Sequence, residues 1–282
     1  MEDHAETQDQ ADPEDEAYEQ ALAAAAEQRA SFDAVADLYA RTRPEVPADA
    51  VEELWQQLQL GDGAHVLEVG AGTGQLTRHL LERGAEVTCV EPGVQLAGLC
   101  ERELGGPRLH MDVTTFEEWD QGERQFDALV ACQAAHWVDP YLFVDRAGDA
   151  LQPRGGLGLL WHLDLSEGTE FWVATQPLYD RYLPDVKEKP PHTIPLYVAA
   201  YTDVLRDDAR FGPPDRKEIP WRRTFDKDTY LGWLQTNSPV RMLSDEDRTA
   251  FVEGHAKVID DFGGSVERIY ETVVLTTHME EW

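Results

Sequence analysis

The pattern of hydrophobic and polar positions divides the chain at Trp161. Before it, Phe32, Val35, Ala36, Leu38 and Tyr39 keep helical spacing behind Ser31 as a cap, and Arg43-Pro44 ends the run. A second helix is predicted over Ala48–Leu58, with Val51, Leu54, Trp55 and Leu58 on one face, before the turn Gly61-Asp62-Gly63. His65–Val69 (HVLEV) reads as a buried strand, Gly70-Ala71-Gly72-Thr73-Gly74 as a glycine loop, and Gln75–Arg83 as a helix closed by Gly84. Strands at Glu86–Val90, Arg108–Met111, Phe126–Ala131 and Leu157–Trp161 then alternate with helices at Val94–Leu104 and Tyr141–Leu151. The last helix ends in Pro153-Arg154-Gly155-Gly156. Strands apolar on both sides and separated by helices require a parallel sheet covered on both faces, so the fold class is α/β, doubly wound.

After Trp161 the rhythm breaks. Residues 163–218 are rich in proline and aromatics and show no strand–helix period. A strand at 219–225 (IPWRRTF), helices at Lys227–Thr236 and Ser244–Phe262, and a strand at Thr272–Thr277 follow. Such a strand–helix–strand tail supplies an antiparallel edge pair to a parallel sheet.

Composition sharpens this. The chain has 282 residues, 42% of them hydrophobic, enough for a real core. It carries 55 Asp and Glu against 24 Lys and Arg, a formal charge of −31. Phosphate backbones and anionic membranes are met by clustered Lys and Arg, so neither nucleic acid nor membrane is expected as a partner. Residues 1–20 hold nine acidic residues and no Lys or Arg, and 1–30 read as an acidic, disordered tail. No run reaches the roughly 18 apolar residues of a membrane-spanning helix, and no basic-then-apolar signal opens the chain. Cys89, Cys100 and Cys132 have no paired C-x-x-C spacing; they suit a reduced, cytoplasmic setting without a structural metal.

VLEVGAGTG carries the chemistry. Glycines at 70, 72 and 74 let the backbone turn off the strand and let a ligand approach the main chain. Seventeen residues after Gly74, Glu91 ends the next strand, where a carboxylate can accept both hydroxyls of a ribose. A dinucleotide site calls for G-x-G-x-x-G, whereas the spacing here is G-x-G-x-G with Gln75 three residues after Gly72. Glu68, just before the loop, repels a pyrophosphate and suits a ligand bearing an ammonium and a sulfonium. These features point to S-adenosylmethionine.

The sequence resembles the class I S-adenosylmethionine-dependent methyltransferases, over roughly Phe32–Met279 and most specifically over residues 32–161. VLEVGAGTG is similar to that family's first motif, with Glu68, Gly70, Ala71, Gly72 and Gly74 as the matching positions, and CVEPG resembles its ribose motif at Glu91 and Pro92. Asp112 falls where the family sets a carboxylate against the adenine amino group, with Val113 as a backbone contact. FDALVACQAAHWVDP resembles the fourth-strand motif, with Cys132 and Gln133 beside the cofactor, and LQPRGGLGLLW the turn into the fifth strand. FDAVADLYARTRPEVP is similar to the entry helix of the small-molecule branch, where Tyr39 and Arg43 match residues that close over the cofactor. The resemblance implies a Rossmann-like, seven-stranded, mostly parallel sheet in a single domain over 31–282. It comprises N-terminal cover helices at 31–60, a cofactor-binding core at 61–162, a substrate cap at 163–218 and a sheet-completing tail at 219–282.

Methyl transfer from a sulfonium is an in-line displacement with an activated leaving group, so alignment supplies much of the acceleration. A base is needed where the acceptor holds a proton, as an alcohol does. His136, after the fourth strand, and His162, after the fifth, are the candidates, since an imidazole titrates near pH 6.5. Phe171, Trp172, Tyr179, Tyr182, Tyr197 and Tyr201, with Trp161 and Trp221, suggest walls for a small, aromatic or polyketide-like acceptor. O-methylation is the expected transfer. The alternative is a methyltransferase fold that keeps the cofactor as a structural element while its pocket promotes another reaction, such as a cyclisation.

Overall fold

The computed structural model describes residues 33–184 and 193–281. The acidic segment 1–30, Ser31, Phe32 and Pro190-Pro191-His192 lie outside the described residues. Seven strands are formed: β1 His65–Val69, β2 Glu86–Val90, β3 Leu109–Asp112, β4 Phe126–Cys132, β5 Leu151–Asp164, β6 Asp215–Asp226 and β7 Ser265–His278. They make one sheet in the order β3-β2-β1-β4-β5-β7-β6. The first five strands run parallel, β7 is antiparallel to β5, and β6 is antiparallel to β7. The chain steps outward in both directions from β1 and β4, so a crevice opens beyond the carboxyl ends of this pair.

The helices are α1 Ala36–Thr42, α2 Ala48–Gln57, α3 Gln75–Glu82, α4 Val94–Leu104, α5 Pro140–Ala150, α6 Glu170–Tyr182, α7 Thr193–Asp207, α8 Lys227–Gln235, α9 Ser238–Arg241 and α10 Asp245–Asp261. Successive residues of a strand point to opposite faces, and both faces are covered. On one, Val51 and Leu54 of α2 and Leu76 and Leu80 of α3 pack with Val66 and Val130. On the other, Phe143 and Ala147 of α5 and Val198 and Tyr201 of α7 pack with Leu67 and Leu129. A third cluster fills the space between α6, α8, α10 and the far ends of β6 and β7, with Phe171, Tyr230, Trp233, Phe251 and Tyr270 at its centre.

Three regions differ from the reading of the sequence; in one, the last two strands begin earlier than expected, at Asp215 and Ser265. Residues 163–218 contain helices α6 and α7. Pro177 sits inside α6 and Pro195 in the first turn of α7, and both obscured the period. Val198, Tyr201 and Leu205, all buried, nevertheless repeat at helical spacing. The expected turn at Pro153-Arg154-Gly155-Gly156 lies inside β5: Phe126 pairs with Leu151, but Ala128 pairs with Gly156, so the intervening residues bulge out. Arg154 takes φ +67° there.

α1 is a strap fixed at both ends. The Asp33 carboxylate accepts from the backbone N–H of Gln95 (2.6 Å) and Leu96 (3.0 Å), the first turn of α4. At the other end Gly232 of α8 admits α1 closely; a Cβ there would lie 2.6 Å from Thr42 Cγ2.

Candidate active site

The glycine loop leaves β1 with Gly70, Gly72 and Gly74 at φ of +72°, +57° and +89°. An added Cβ at Gly70 would lie 2.3 Å from Ala134 Cβ, and one at Gly74 2.5 Å from Leu104 Cδ1. At Gly72 the nearest atom is Gln75 Oε1 at 3.8 Å, so this glycine faces open space. Backbone bonds beyond the strand ends hold the crevice: Gly70 N–H donates to Val90 O (2.7 Å), Glu91 N–H to Asp112 O (3.1 Å) and Gln133 N–H to Leu160 O (2.9 Å). Gln133 itself takes φ +57°, a conformation that turns the chain sharply off β4.

Glu91 spans this crevice. One carboxylate oxygen accepts from the N–H of Gly72 and the other from the N–H of Gly93, both at 2.8 Å. Tyr39 and Arg43 of the strap come to the same place. Burial raises the Tyr39 pKa, the Arg43 guanidinium opposes this, and Glu91 and Cys132 add to it. Arg43 lies 4.9 Å over the Tyr39 ring and donates to the Thr236 carbonyl (2.9 Å). Tyr39 and Arg43 of the strap, Glu91 after β2 and Cys132 at the end of β4 are thus neighbours.

Two of the expected cofactor contacts have carboxylates with partners inside the protein. Glu68 is 1% exposed and turns away from the loop, into the space between β1 and α3, where it accepts from the Thr77 hydroxyl (2.7 Å). Burial pushes its pKa up to about 8 against that hydrogen bond, so near neutrality its carboxyl holds a proton. Asp112 closes β3 with its carboxylate committed elsewhere. It accepts from Trp119 Nε1 (2.7 Å) and Arg124 Nη1 (2.6 Å), and His110 Nε2 lies 3.0 Å away. Partial burial opposes ionisation, but these donors hold Asp112 below the usual carboxylate range. Its neighbour Val113 is 50% exposed.

His136 lies in a single turn of 3-10 helix, Ala135–Trp137, with its ring 4.9 Å from Trp137 and 5.5 Å from Tyr197. Its Nδ1 is buried without a hydrogen-bond partner among the described residues, and burial pushes its pKa down to about 4. His162 is pushed down to about 4 as well, by burial and then by Arg43. Its Nδ1 lies 2.8 Å from Thr272 Oγ1, and that oxygen accepts from Trp221 Nε1 (2.9 Å). Thr272 carried no signal in the sequence, and nothing there joined Trp221 to His162, because β6 and β7 reach His162 only through the antiparallel pairing. Of the aromatics expected as acceptor walls, Tyr197 and Trp221 adjoin these histidines. Trp161 and Tyr201 are 0% exposed and Phe171 6%, in the cores. Tyr179 and Tyr182 pack against the third cluster.

The crevice has the features a nucleoside with a cationic tail requires. It offers a loop open at Gly72, a buried carboxylate at its rim, and an orphaned acceptor, Gln133 Oε1, which is buried without a partner among the described residues. No cluster of His, Cys, Asp and Glu able to hold a metal occurs among the described residues.

Residues 67–157 match the methyltransferase domain family. The sequence is 36% identical over 132 residues to an uncharacterized methyltransferase of Mycobacterium tuberculosis, covering 47% of this chain and 52% of that one. The chain therefore spans about half the length of the curated relatives it matches. In structure it is similar to a protein of Anaeromyxobacter dehalogenans assigned as a type II methyltransferase (TM-score 0.60, 18% identity, 85% of this chain and 99% of that one). It is also similar to an S-adenosylmethionine-dependent methyltransferase of Thiobacillus denitrificans in complex with S-adenosylhomocysteine (TM-score 0.51, 13% identity, 86% and 96%). By its motifs, sheet order and the family match over residues 67–157, the chain is similar to the class I S-adenosylmethionine-dependent methyltransferases.

Proposed function

We propose that the protein transfers a methyl group from S-adenosylmethionine to an oxygen of a small-molecule acceptor, in the cytoplasm. The observation that carries this reading is the Glu91 carboxylate laid across the glycine loop, within reach of the ribose side of a nucleoside. The residues that would hold the cofactor are Gly72 and Glu91 with Pro92 at the ribose, Val113 and Gln133 along the base, and Tyr39 and Arg43 over the tail. When bound, the cofactor supplies a methyl group on a sulfonium, whose departure leaves a neutral thioether. The chain aligns the acceptor and removes its proton. No helix among the described residues is long and apolar enough to cross a membrane, and all three cysteines are unpaired, which agrees with a reducing compartment.

The two histidines take different parts in this reading. The Thr272 hydroxyl accepts from Trp221, and in this reading it gives its own proton to His162 Nδ1, so that neutral His162 carries its proton on Nε2 and donates to the acceptor oxygen. His136 keeps Nδ1 unpartnered and is the ring with a lone pair for the acceptor's proton.

Calorimetric titration of S-adenosylhomocysteine tests the cofactor site: wild type binds, and Glu91→Ala weakens binding about 100-fold, the effect of losing a charge-assisted bidentate contact. Absence of binding by wild type sinks the reading. With labelled cofactor and a panel of hydroxylated acceptors, His136→Ala is expected to lower kcat about 100-fold, in the range of a general base, and His162→Ala less. Losses below threefold in both variants remove the histidines from the mechanism.

A further inference from the structure

Along the inward face of the edge strand β6, Ile219, Trp221, Arg223 and Phe225 alternate with exposed Pro220, Arg222 and Thr224. Three of those inward side chains are apolar and the fourth is an arginine. Its guanidinium lies 4.3 Å over the Phe225 ring, and its Nη1 is buried without a hydrogen-bond partner among the described residues. A buried guanidinium nitrogen with no acceptor is unfavourable, and such a group in a native fold calls for a missing partner.

Arg223 opens onto a groove of about 980 Å³ that Arg41, Arg43, Arg78, Arg102 and Arg222 also line. Six arginines meet only three carboxylates there, Asp37, Glu45 and Glu103, in a chain where acidic residues outnumber basic ones 55 to 24. Some are engaged: Arg222 pairs with Glu267 (2.6 Å) and Arg102 with Glu103 (3.5 Å). Arg78, projecting from α3 just after the glycine loop, is exposed. Trp221 lines the same groove, stacked on Tyr270 (4.4 Å, 18°) and edge-on to His162 (5.4 Å), so the groove abuts the acceptor side of the candidate active site.

An arginine fork over an aromatic wall fits a planar or tetrahedral oxyanion attached to an apolar body. The charge of −31 repels an extended row of phosphates, whereas a single small anion in the groove is governed by arginines within a Debye length of about 8 Å. We propose that this groove is the anion subsite of the methyl acceptor: Arg223 and Arg78 hold a carboxylate or phosphate group of a small acceptor whose apolar body rests on Trp221. The assignment to the acceptor rests on the methyltransferase reading above.

The test is calorimetric titration of phenylacetate, the neutral phenylacetamide and inorganic phosphate into protein saturated with S-adenosylhomocysteine. The proteins compared are wild type, Arg223→Gln, Arg78→Ala and Lys217→Ala, the last removing an exposed charge from the same strand. Phenylacetate is expected to bind wild type and phenylacetamide to bind more weakly. Arg223→Gln and Arg78→Ala are each expected to lower phenylacetate affinity about tenfold, as for a lost charge-assisted hydrogen bond, with Lys217→Ala unchanged. Binding of phosphate alone, with the same dependence on both arginines, supports the subsite with phosphate as its anion. Equal affinity in all four proteins, no binding of either anion, or preferential binding of a DNA duplex or anionic vesicles overturns it. S-adenosylhomocysteine affinity, measured on the same proteins, reports folding of each variant. If wild type fails to bind it, the methyltransferase reading fails separately from the anion site.

Discussion

The half of the molecule built on β1, β2 and the glycine loop and the half built on β5, β6 and β7 solve the same problem by different means. In the first, position is fixed by backbone: three glycines at positive φ, ladder bonds past the strand ends, and one carboxylate bridging two N–H groups. In the second, position is fixed by large side chains from distant parts of the chain. Arg268 pairs with Asp164 and donates to the Tyr230 hydroxyl (3.1 Å), while Trp221 and His162 meet at Thr272. Backbone solutions leave little room for a side chain at the three glycines, whereas a side-chain solution can be repacked.

That contrast can be broken experimentally. The largest effect is expected from Gly70→Ala. Its Cβ would fall 2.3 Å from Ala134 Cβ at a φ of +72°. Overpacking and backbone strain together should remove about 4 kcal/mol of stability in chemical denaturation. A loss under about 1 kcal/mol would show that the loop yields, and that backbone does not set its position.

Next is Arg268→Met in the other half. Arg268 is 11% exposed and Asp164 22%, so removing the cation leaves a largely buried carboxylate behind, at a cost of about 3 kcal/mol. Restoration of stability by Arg268→Met combined with Asp164→Leu would confirm that the penalty comes from the unpaired charge.

A third effect is a change in pH dependence. Glu68 has a folded-state pKa of about 8, above its ordinary 4.5, so the native state binds the extra proton. Its contribution to stability is complete below pH 4.5 and is lost as pH rises toward 8. Glu68→Gln should therefore flatten the fall in Tm over that window. His136 and His162 act in the opposite sense: with folded pKa values near 4, their contribution is present above pH 6.5 and lost on acidification toward 4. A Glu68→Gln profile as steep as wild type on the alkaline side would remove Glu68 as its source.

The parallel core was legible because its signals are local. HVLEV, the glycine spacing, Glu91 and the strand–helix alternation each occupy a few consecutive residues, and the structure sets all but the fifth strand within a residue or two of their expected bounds. Glu68 and Asp112 show where local reasoning stopped. Their positions beside the crevice were visible, but the direction of each carboxylate was settled by Thr77 on α3 and by Trp119 and Arg124 beyond β3. Helix α7 could have been found from Val198, Tyr201 and Leu205, whereas Pro177 concealed α6.

Sequence alone determined the fold class, the glycine loop that turns off β1, and the carboxylate that ends β2, because φ preference, periodicity and chain order are properties of neighbouring residues. Tertiary structure decided which charges face the crevice, which histidine keeps a free nitrogen, and that arginines spread from 41 to 223 gather in one groove in a strongly acidic chain. Those outcomes depend on desolvation and on pairing between segments more than 100 residues apart, as between His162 and Thr272.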